Sequence, residues 1–166
     1  MDFTLNPSLQ RDVIMKLKLF IGLVPVAAII VACQTTPISP LAAEPGIEFT
    51  LAPDGAVTIT DAGLTIKLIS ILSDDHCPRE VECAASGPVQ VSLSAQKDNR
   101  TTEDFALQTF TDTEGRSPAI EFEGITDRIV YEGYLIRIVG VLPYPEDLST
   151  SIKEDDYRVS FVVTEK

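Results

Sequence analysis

The side chains of this chain that could bind a metal ion or take part in redox chemistry are concentrated in residues 73–83, SDDHCPREVEC. The stretch holds two of the three cysteines, the single histidine and four acidic residues. Thiolates, imidazoles and carboxylates are metal ligands, and a pair of cysteines can form a redox centre or a disulfide. The choice among these depends on the compartment, because disulfides persist mainly in oxidising spaces.

A segment near the N-terminus predicts that compartment. Residues 15–33 read MKLKLFIGLVPVAAIIVAC, in which two lysines precede a fourteen-residue apolar run and a cysteine. This order of basic, apolar and small residues is typical of a signal peptide. A membrane-spanning helix needs roughly 20 apolar residues. We therefore expect residues 1–32 to be a signal peptide, with Met15 as an alternative translation start because Asp2 and Asp12 fit a signal peptide poorly.

The end of this segment, Ile30-Val31-Ala32-Cys33, resembles the lipobox of bacterial lipoproteins. The resemblance implies cleavage before Cys33, attachment of fatty acyl chains such as palmitate, and a stable lipid anchor in the membrane. Gln34, in place of Asp, resembles the pattern of lipoproteins that reach the outer membrane of two-membrane bacteria. In a one-membrane bacterium the protein would lie on the outer face of the cell membrane. The alternatives are an ordinary secretory signal cut near residues 42–43 and an uncleaved anchor.

The segment after the cysteine reads as a spacer. Residues 34–46 contain three prolines and no apolar periodicity, so we expect residues 33–46 to form a lipidated tether. Extended proline-rich chain rises about 3.1 Å per residue, which gives this tether a reach of about 40 Å.

The charge of the chain excludes one class of partner. The net charge is −12, and removal of the residues before Cys33 takes away three basic and two acidic residues, leaving −13. Nucleic-acid binding depends on clustered Lys and Arg, which this chain lacks, so we expect no nucleic-acid partner. Anionic lipid headgroups would also repel the folded part, which leaves the lipid anchor as the contact with the membrane.

From residue 47 onward the dominant hydrophobic period is two, which indicates β-strands. Within residues 64–72 the apolar positions change parity, which predicts a β-bulge near Leu68. The segments 47–51, 56–60, 64–72, 89–96, 105–110, 119–123, 134–142 and 158–164 are the candidate strands. Seven or eight short strands predict one all-β domain over residues 47–166, an antiparallel β-sandwich with a small β-barrel as the alternative.

After export, Cys77 and Cys83 are the remaining thiols, so we expect them to form a disulfide. A redox centre and a zinc site are the alternatives that this spacing favours less. Asp74 and Asp75 are weak calcium candidates. We expect His76 to be an exposed loop residue or at most a pH-dependent contact. We expect no catalytic site, no cofactor and no firm metal site.

Two segments together resemble a group of bacterial exported proteins and lipoproteins. The first is Asp74-Asp75-His76-Cys77-Pro78 followed by Cys83, and the second is Pro143-Tyr144-Pro145 followed by Asp156-Tyr157. The resemblance implies an extracytoplasmic β-domain with a short disulfide loop and implies no activity. Members of that group often carry a Trp after the second cysteine, where this chain has Ala84-Ala85.

Pro143, Tyr144 and Pro145 form a possible partner-binding loop. The alternative is a tyrosine that folds back over the end of the sandwich. A cis Tyr144–Pro145 bond is an alternative to the commoner trans bond. The sequence thus predicts a non-enzymatic, lipid-anchored binding or envelope-structural protein. A protease-inhibitor-like protein that uses the disulfide loop and a calcium-dependent envelope protein are the alternatives.

Overall fold

The described residues of the chain, 41–149 and 151–166, are nearly all in strands, turns and loops, in agreement with the all-β prediction. The structure is a computed structural model. The expected signal peptide, Cys33 and the first part of the tether lie outside the described residues. The strands are β1 (Leu41–Ala43), β2 (Phe49–Leu51), β3 (Ala56–Ile59), β4 (Leu64–Asp74), β5 (Val89–Lys97), β6 (Glu103–Thr109), β7 (Arg128–Tyr131), β8 (Tyr134–Leu142) and β9 (Arg158–Glu165).

The strands form two sheets that pack face to face as a β-sandwich. One sheet has five strands in the order β1-β3-β4-β5-β6, and the other has four in the order β2-β9-β8-β7. All pairs are antiparallel except β1 with β3. A 3-10 turn, Glu154–Asp156, precedes β9.

The core lies between the sheets and follows from the alternation in the sequence. In β5 the side chains of Val89, Val91 and Leu93 are fully buried, while the intervening residues are partly exposed. β9 repeats the pattern with Val159 and Phe161. Because successive side chains of a strand point to opposite faces, each strand contributes alternate residues to one shared core.

The predicted bulge in β4 is confirmed. The register of β4 against β5 shifts between Leu68 and Ser70, so Ile69 has no partner residue on β5. After the shift Ile71 lies opposite Val91 and packs against the core. The extra residue therefore accounts for the change in the apolar parity of this strand.

Three elements differ from the sequence-based expectation. Leu41–Ala43, within the expected tether, pairs with β3, and the short strand β7 was not expected. The segment 119–123 is irregular, and its apolar side chains Ile120 and Phe122 are exposed. The strand count in the described part of the chain is therefore nine.

The loop after β6, and not the segment 119–123, occupies the edge of β8 beyond β7. Beyond β7 this edge is bonded by the loop after β6: Val141 N donates to Gly115 O at 2.8 Å and Ser117 N donates to Val139 O at 3.0 Å. A Cβ on Gly140 would lie 2.8 Å from Gly115 O, so this close approach depends on a glycine. The loop after β6 is thereby held against the second sheet.

We predict that Phe161→Ala destabilises the domain by about 3–5 kcal/mol, because it removes one of the largest fully buried side chains and leaves a cavity. Urea denaturation followed by circular dichroism measures the loss. Val130→Ala is the matched control, since Val130 is 48% exposed on β7. Equal losses in the two variants would contradict the described core.

Candidate functional site

Loops from both sheets meet at one end of the sandwich, where β4, β6 and β8 end and β5 and β9 begin. We call residues 75–88, 110–118 and 143–157 together the loop end. The stretch with the chemically active side chains lies here, as does the proline-tyrosine-proline segment.

The predicted disulfide between Cys77 and Cys83 is present, with the two Cα atoms 5.9 Å apart. The ring that it closes is bonded to the loop after β8 on its outer side. Arg79 N donates to Pro145 O at 3.1 Å, and Glu80 N donates to Glu146 O at 2.9 Å. The disulfide ring is therefore one wall of a joint surface and does not project alone.

Tyr144 is buried, with 7% of its surface exposed. Its ring stacks on His76 with centroids 4.6 Å apart, and its hydroxyl donates to Cys77 O at 2.8 Å. The possibility of an exposed aromatic anchor is wrong for Tyr144, and the alternative of a tyrosine folded back over the sandwich is confirmed. The cis bond in this segment is Leu142–Pro143, so the idea of a cis Tyr144–Pro145 bond is also wrong.

His76 is buried, contrary to the expectation of an exposed loop residue, because distant parts of the chain cover it. None of its side chain is exposed. Thr111 Oγ1 lies 2.8 Å from Nε2, and Asp74 Oδ1 lies 2.9 Å from Nδ1 in a contact too bent to count as a hydrogen bond. Tyr144 covers one face of the ring.

Asp74 joins this cluster to β9. Its Oδ2 accepts a hydrogen bond from the Tyr157 hydroxyl at 2.8 Å, and its Oδ1 accepts one from the backbone N of His76 at 3.1 Å. Burial alone would raise the pKa of Asp74, but the contacts with His76 and Tyr157 outweigh burial and lower it. Burial and the neighbouring carboxylate raise the pKa of Tyr157 well above its usual value, so the phenol stays protonated.

The order Thr111, His76, Asp74 matches the order of a nucleophile, a base and an orienting carboxylate. A catalytic base must reach the proton that it moves on a bound substrate. The imidazole has no exposed surface and is covered by Tyr144, so no substrate reaches it in this conformation. The chemical role that this geometry supports is to hold three segments of the loop end together.

A hollow of about 290 Å³ opens beside this cluster. Its floor includes Asp74, His76 and Tyr157, and its walls come from the disulfide ring and the loop before β9. Leu148, at its rim, is 80% exposed. The remaining lining residues are Pro78, Pro145, Asp147, Ser151 and Ile152.

The described part of the chain brings no group of three or more His, Cys, Asp or Glu side chains together in a way that could hold a metal ion. Asp74 turns inward to Tyr157, while Asp75 Oδ2 accepts a hydrogen bond from Ser73 Oγ at 3.3 Å. The two calcium candidates therefore do not converge on one point. Residues 41–149 and 151–166 also include no helix of the length and apolarity that would cross a membrane.

Comparison with protein-family models, curated proteins and solved structures finds no match for this chain. The site therefore has to be interpreted from its own geometry. Sequence reasoning singled out His76, Cys77, Cys83 and Tyr144, which the structure brings together. It missed Thr111, since a threonine in an irregular loop carries no sequence signal of its position.

We predict that the double variant Cys77→Ser/Cys83→Ser is destabilised by about 2 kcal/mol, because the closed ring is short and limits the unfolded chain only modestly. Urea denaturation measures the change. A reducing agent should lower the stability of the wild-type protein by the same amount and leave the double variant unchanged. Sensitivity of the double variant to reduction would contradict this account.

We also predict that Asp74→Asn reduces the acid sensitivity of the fold. A carboxylate whose pKa is lowered by folding adds stability above its ordinary value of 3.8, and the contribution is lost as the pH falls further. The wild-type protein should therefore lose more stability than Asp74→Asn between neutral pH and acid, as measured by thermal unfolding. Asp104→Asn, at an exposed position of β6, is the control. Parallel pH profiles for wild type and Asp74→Asn would contradict the role of Asp74.

Proposed function

We propose that this protein is a lipid-anchored, non-enzymatic protein of the bacterial cell envelope whose loop end binds another protein. The observation that carries the proposal is that three loops are bonded into one surface before any partner arrives. A surface that is already ordered loses little conformational freedom on binding, which favours affinity and specificity.

The bonds that order the surface come from different parts of the chain. The disulfide closes one loop, the hydroxyl of Tyr144 bonds Cys77 O, and the backbone of Glu80 bonds that of Glu146. The guanidinium of Arg79 bonds Thr113 O and lies 3.4 Å from a carboxylate oxygen of Glu146. Binding residues are often found on loops that a rigid scaffold holds in place in this way.

The anchoring half of the proposal depends on Cys33 and the lipobox-like residues before it. A disulfide between Cys77 and Cys83 supports an exported protein, because oxidising compartments are where such bonds persist. Since Leu41–Ala43 belongs to the sheet, the tether is shortened to residues 34–40, with a reach of about 22 Å. Gln34 favours the outer membrane in a two-membrane bacterium, with the outer face of the cell membrane as the one-membrane equivalent.

The geometry favours a binding surface over the other two functions that the sequence left open. An inhibitor loop that enters a protease cleft has to present its backbone, but the amides of Arg79 and Glu80 already bond the loop after β8. The calcium alternative has no support from Asp74 and Asp75, which bond to separate partners.

We predict that the mature protein carries acyl chains on Cys33 and fractionates with membranes, and that Cys33→Ala releases it from them. Mass spectrometry of the mature N-terminus measures the modification. A photo-cross-linking amino acid at Leu148 should capture a partner protein in cells, whereas one at Val130, exposed on the far side of the fold, should not. An unmodified Cys33 would refute the anchor, and identical capture from both positions would refute the binding surface.

A further inference from the structure

The outer face of the four-stranded sheet carries a hollow of about 330 Å³, which we call the sheet hollow. Gly140 on β8 and Ser160 on β9 are among its lining residues, and Glu114 to Arg116 of the loop after β6 line it from the edge of β8. Leu142 also lines it and is 47% exposed. A neighbouring hollow of about 270 Å³ lies further along the same strands.

Two side chains of opposite charge flank Leu142 in the sheet hollow. Arg158 is opposite Leu142 on the neighbouring strand β9. On the other side, the antiparallel register of Arg116 with Gly140 puts Glu114 level with Leu142. Because neighbouring strands lie about 4.8 Å apart, the two charges are separated by about 10 Å across β8.

Both charges lack an ion-pair partner among the residues that the structure describes. One guanidinium nitrogen of Arg158 donates to the backbone O of Asp155 at 2.8 Å and of Tyr157 at 2.6 Å. These bonds hold the side chain in place and leave the other N–H groups of the guanidinium for a carboxylate. The charges of Arg158 and Glu114 are therefore open to compensation from outside.

The same face carries no net charge, although the protein is strongly acidic. The arginines that line its two hollows are Arg116, Arg128, Arg137 and Arg158. The first three pair with Glu48, Glu121 and Asp127, and Glu114 is the fourth carboxylate. The net charge of −13 that we expect for the mature chain thus lies on other surfaces. Two copies of this protein repel each other least through this face.

We propose that the outer face of the four-stranded sheet binds a second copy of the chain, about a twofold axis that runs along β8 past Leu142. Residues in a twofold contact meet reciprocally. This axis therefore sets Arg158 of each copy opposite Glu114 of the other and brings the two Leu142 side chains together. The two open charges are compensated, and the exposed apolar side chain is covered.

An axis parallel to the strands gives the two copies the same direction, so that both loop ends point the same way. Two copies anchored in one membrane need this arrangement, and their confinement raises the effective concentration of each for the other. This supporting argument rests on the proposed lipid anchor, whereas the argument from charge does not.

The contact is centred on Leu142. Val130 on β7 is opposite Leu135, about 23 Å along the strands from Leu142. Face-to-face sheets cross at about 30°, which carries the strands of the two copies apart at that distance. Val130 therefore lies outside the contact and serves as a control position.

Disulfide trapping tests the axis in a protein of residues 34–166, which holds all nine described strands and lacks Cys33. Leu142→Cys should form a cross-linked dimer under mild oxidation, because the two thiols meet at the axis. Val130→Cys should stay monomeric, although Val130 is 48% exposed and Leu142 is 47% exposed. Equal trapping of the two variants, or none in either, would overturn the proposed contact.

Sedimentation equilibrium tests the charges. The parent protein should dimerise reversibly at concentrations up to about 500 μM in about 20 mM salt, where screening is weak. Arg158→Glu and Glu114→Arg should each weaken the dimer about tenfold or more, since each sets like charges opposite one another twice. The double variant Arg158→Glu/Glu114→Arg restores opposite charges and should return the affinity to within about threefold of the parent.

The matched controls make the same charge changes on the five-stranded sheet. Lys67→Glu on β4 and Glu103→Arg on β6 should leave the affinity unchanged. Thermal unfolding shows that each variant is folded. Leu142→Glu, which sets two carboxylates together at the axis, should abolish the dimer and is the independent test if Arg158→Glu does not fold.

A parent protein that stays monomeric over the whole concentration range would refute the proposal. Two weakened single variants without rescue in the double variant would refute the pairing of Arg158 with Glu114. These measurements use neither Cys33 nor Leu148. Their failure is therefore distinct from a failure of the anchor or of partner capture by the loop end.

Discussion

A buried imidazole and a partly buried carboxylate need partners inside the protein, and at the loop end this requirement joins the two sheets. His76 and Asp74 follow β4 of the five-stranded sheet, whereas Tyr144 and Tyr157 flank the loop between the strands of the other sheet. Thr111 adds the loop after β6. The polar cluster thus closes the end of an apolar core. It also determines where every nearby loop begins its path over the surface.

The disulfide and the polar cluster have complementary effects. The disulfide constrains a single short ring, whereas the hydrogen bond from Tyr144 to Cys77 O places that ring against a loop more than sixty residues later in the chain. The first effect acts mainly on the unfolded chain, and the second acts on the folded one. The hollow lies where the two meet.

The prediction of an all-β fold depended on local patterns of apolar and polar residues in the sequence. Alternation of apolar and polar residues in β5 and β9 predicted half-buried strands, since successive side chains of a strand point to opposite faces of the sheet. For the same reason, the change in which positions are apolar after Leu68 predicted the bulge. Other features depend on long-range contacts and leave no local pattern. β1 has only three residues and becomes a strand by pairing with β3, and His76 is buried only because Tyr144 and Thr111 approach it from distant positions.

The parallel pairing of β1 has a mechanical consequence for the proposed attachment through Cys33. The chain enters the fold through three residues at the edge of a sheet, two of which are exposed. Pulling on the N-terminal side therefore loads these few hydrogen bonds before any strand of the core. Such an edge detaches locally at a low free-energy cost, which would lengthen the link to the lipid anchor proposed above while the sandwich and its loop end stay intact.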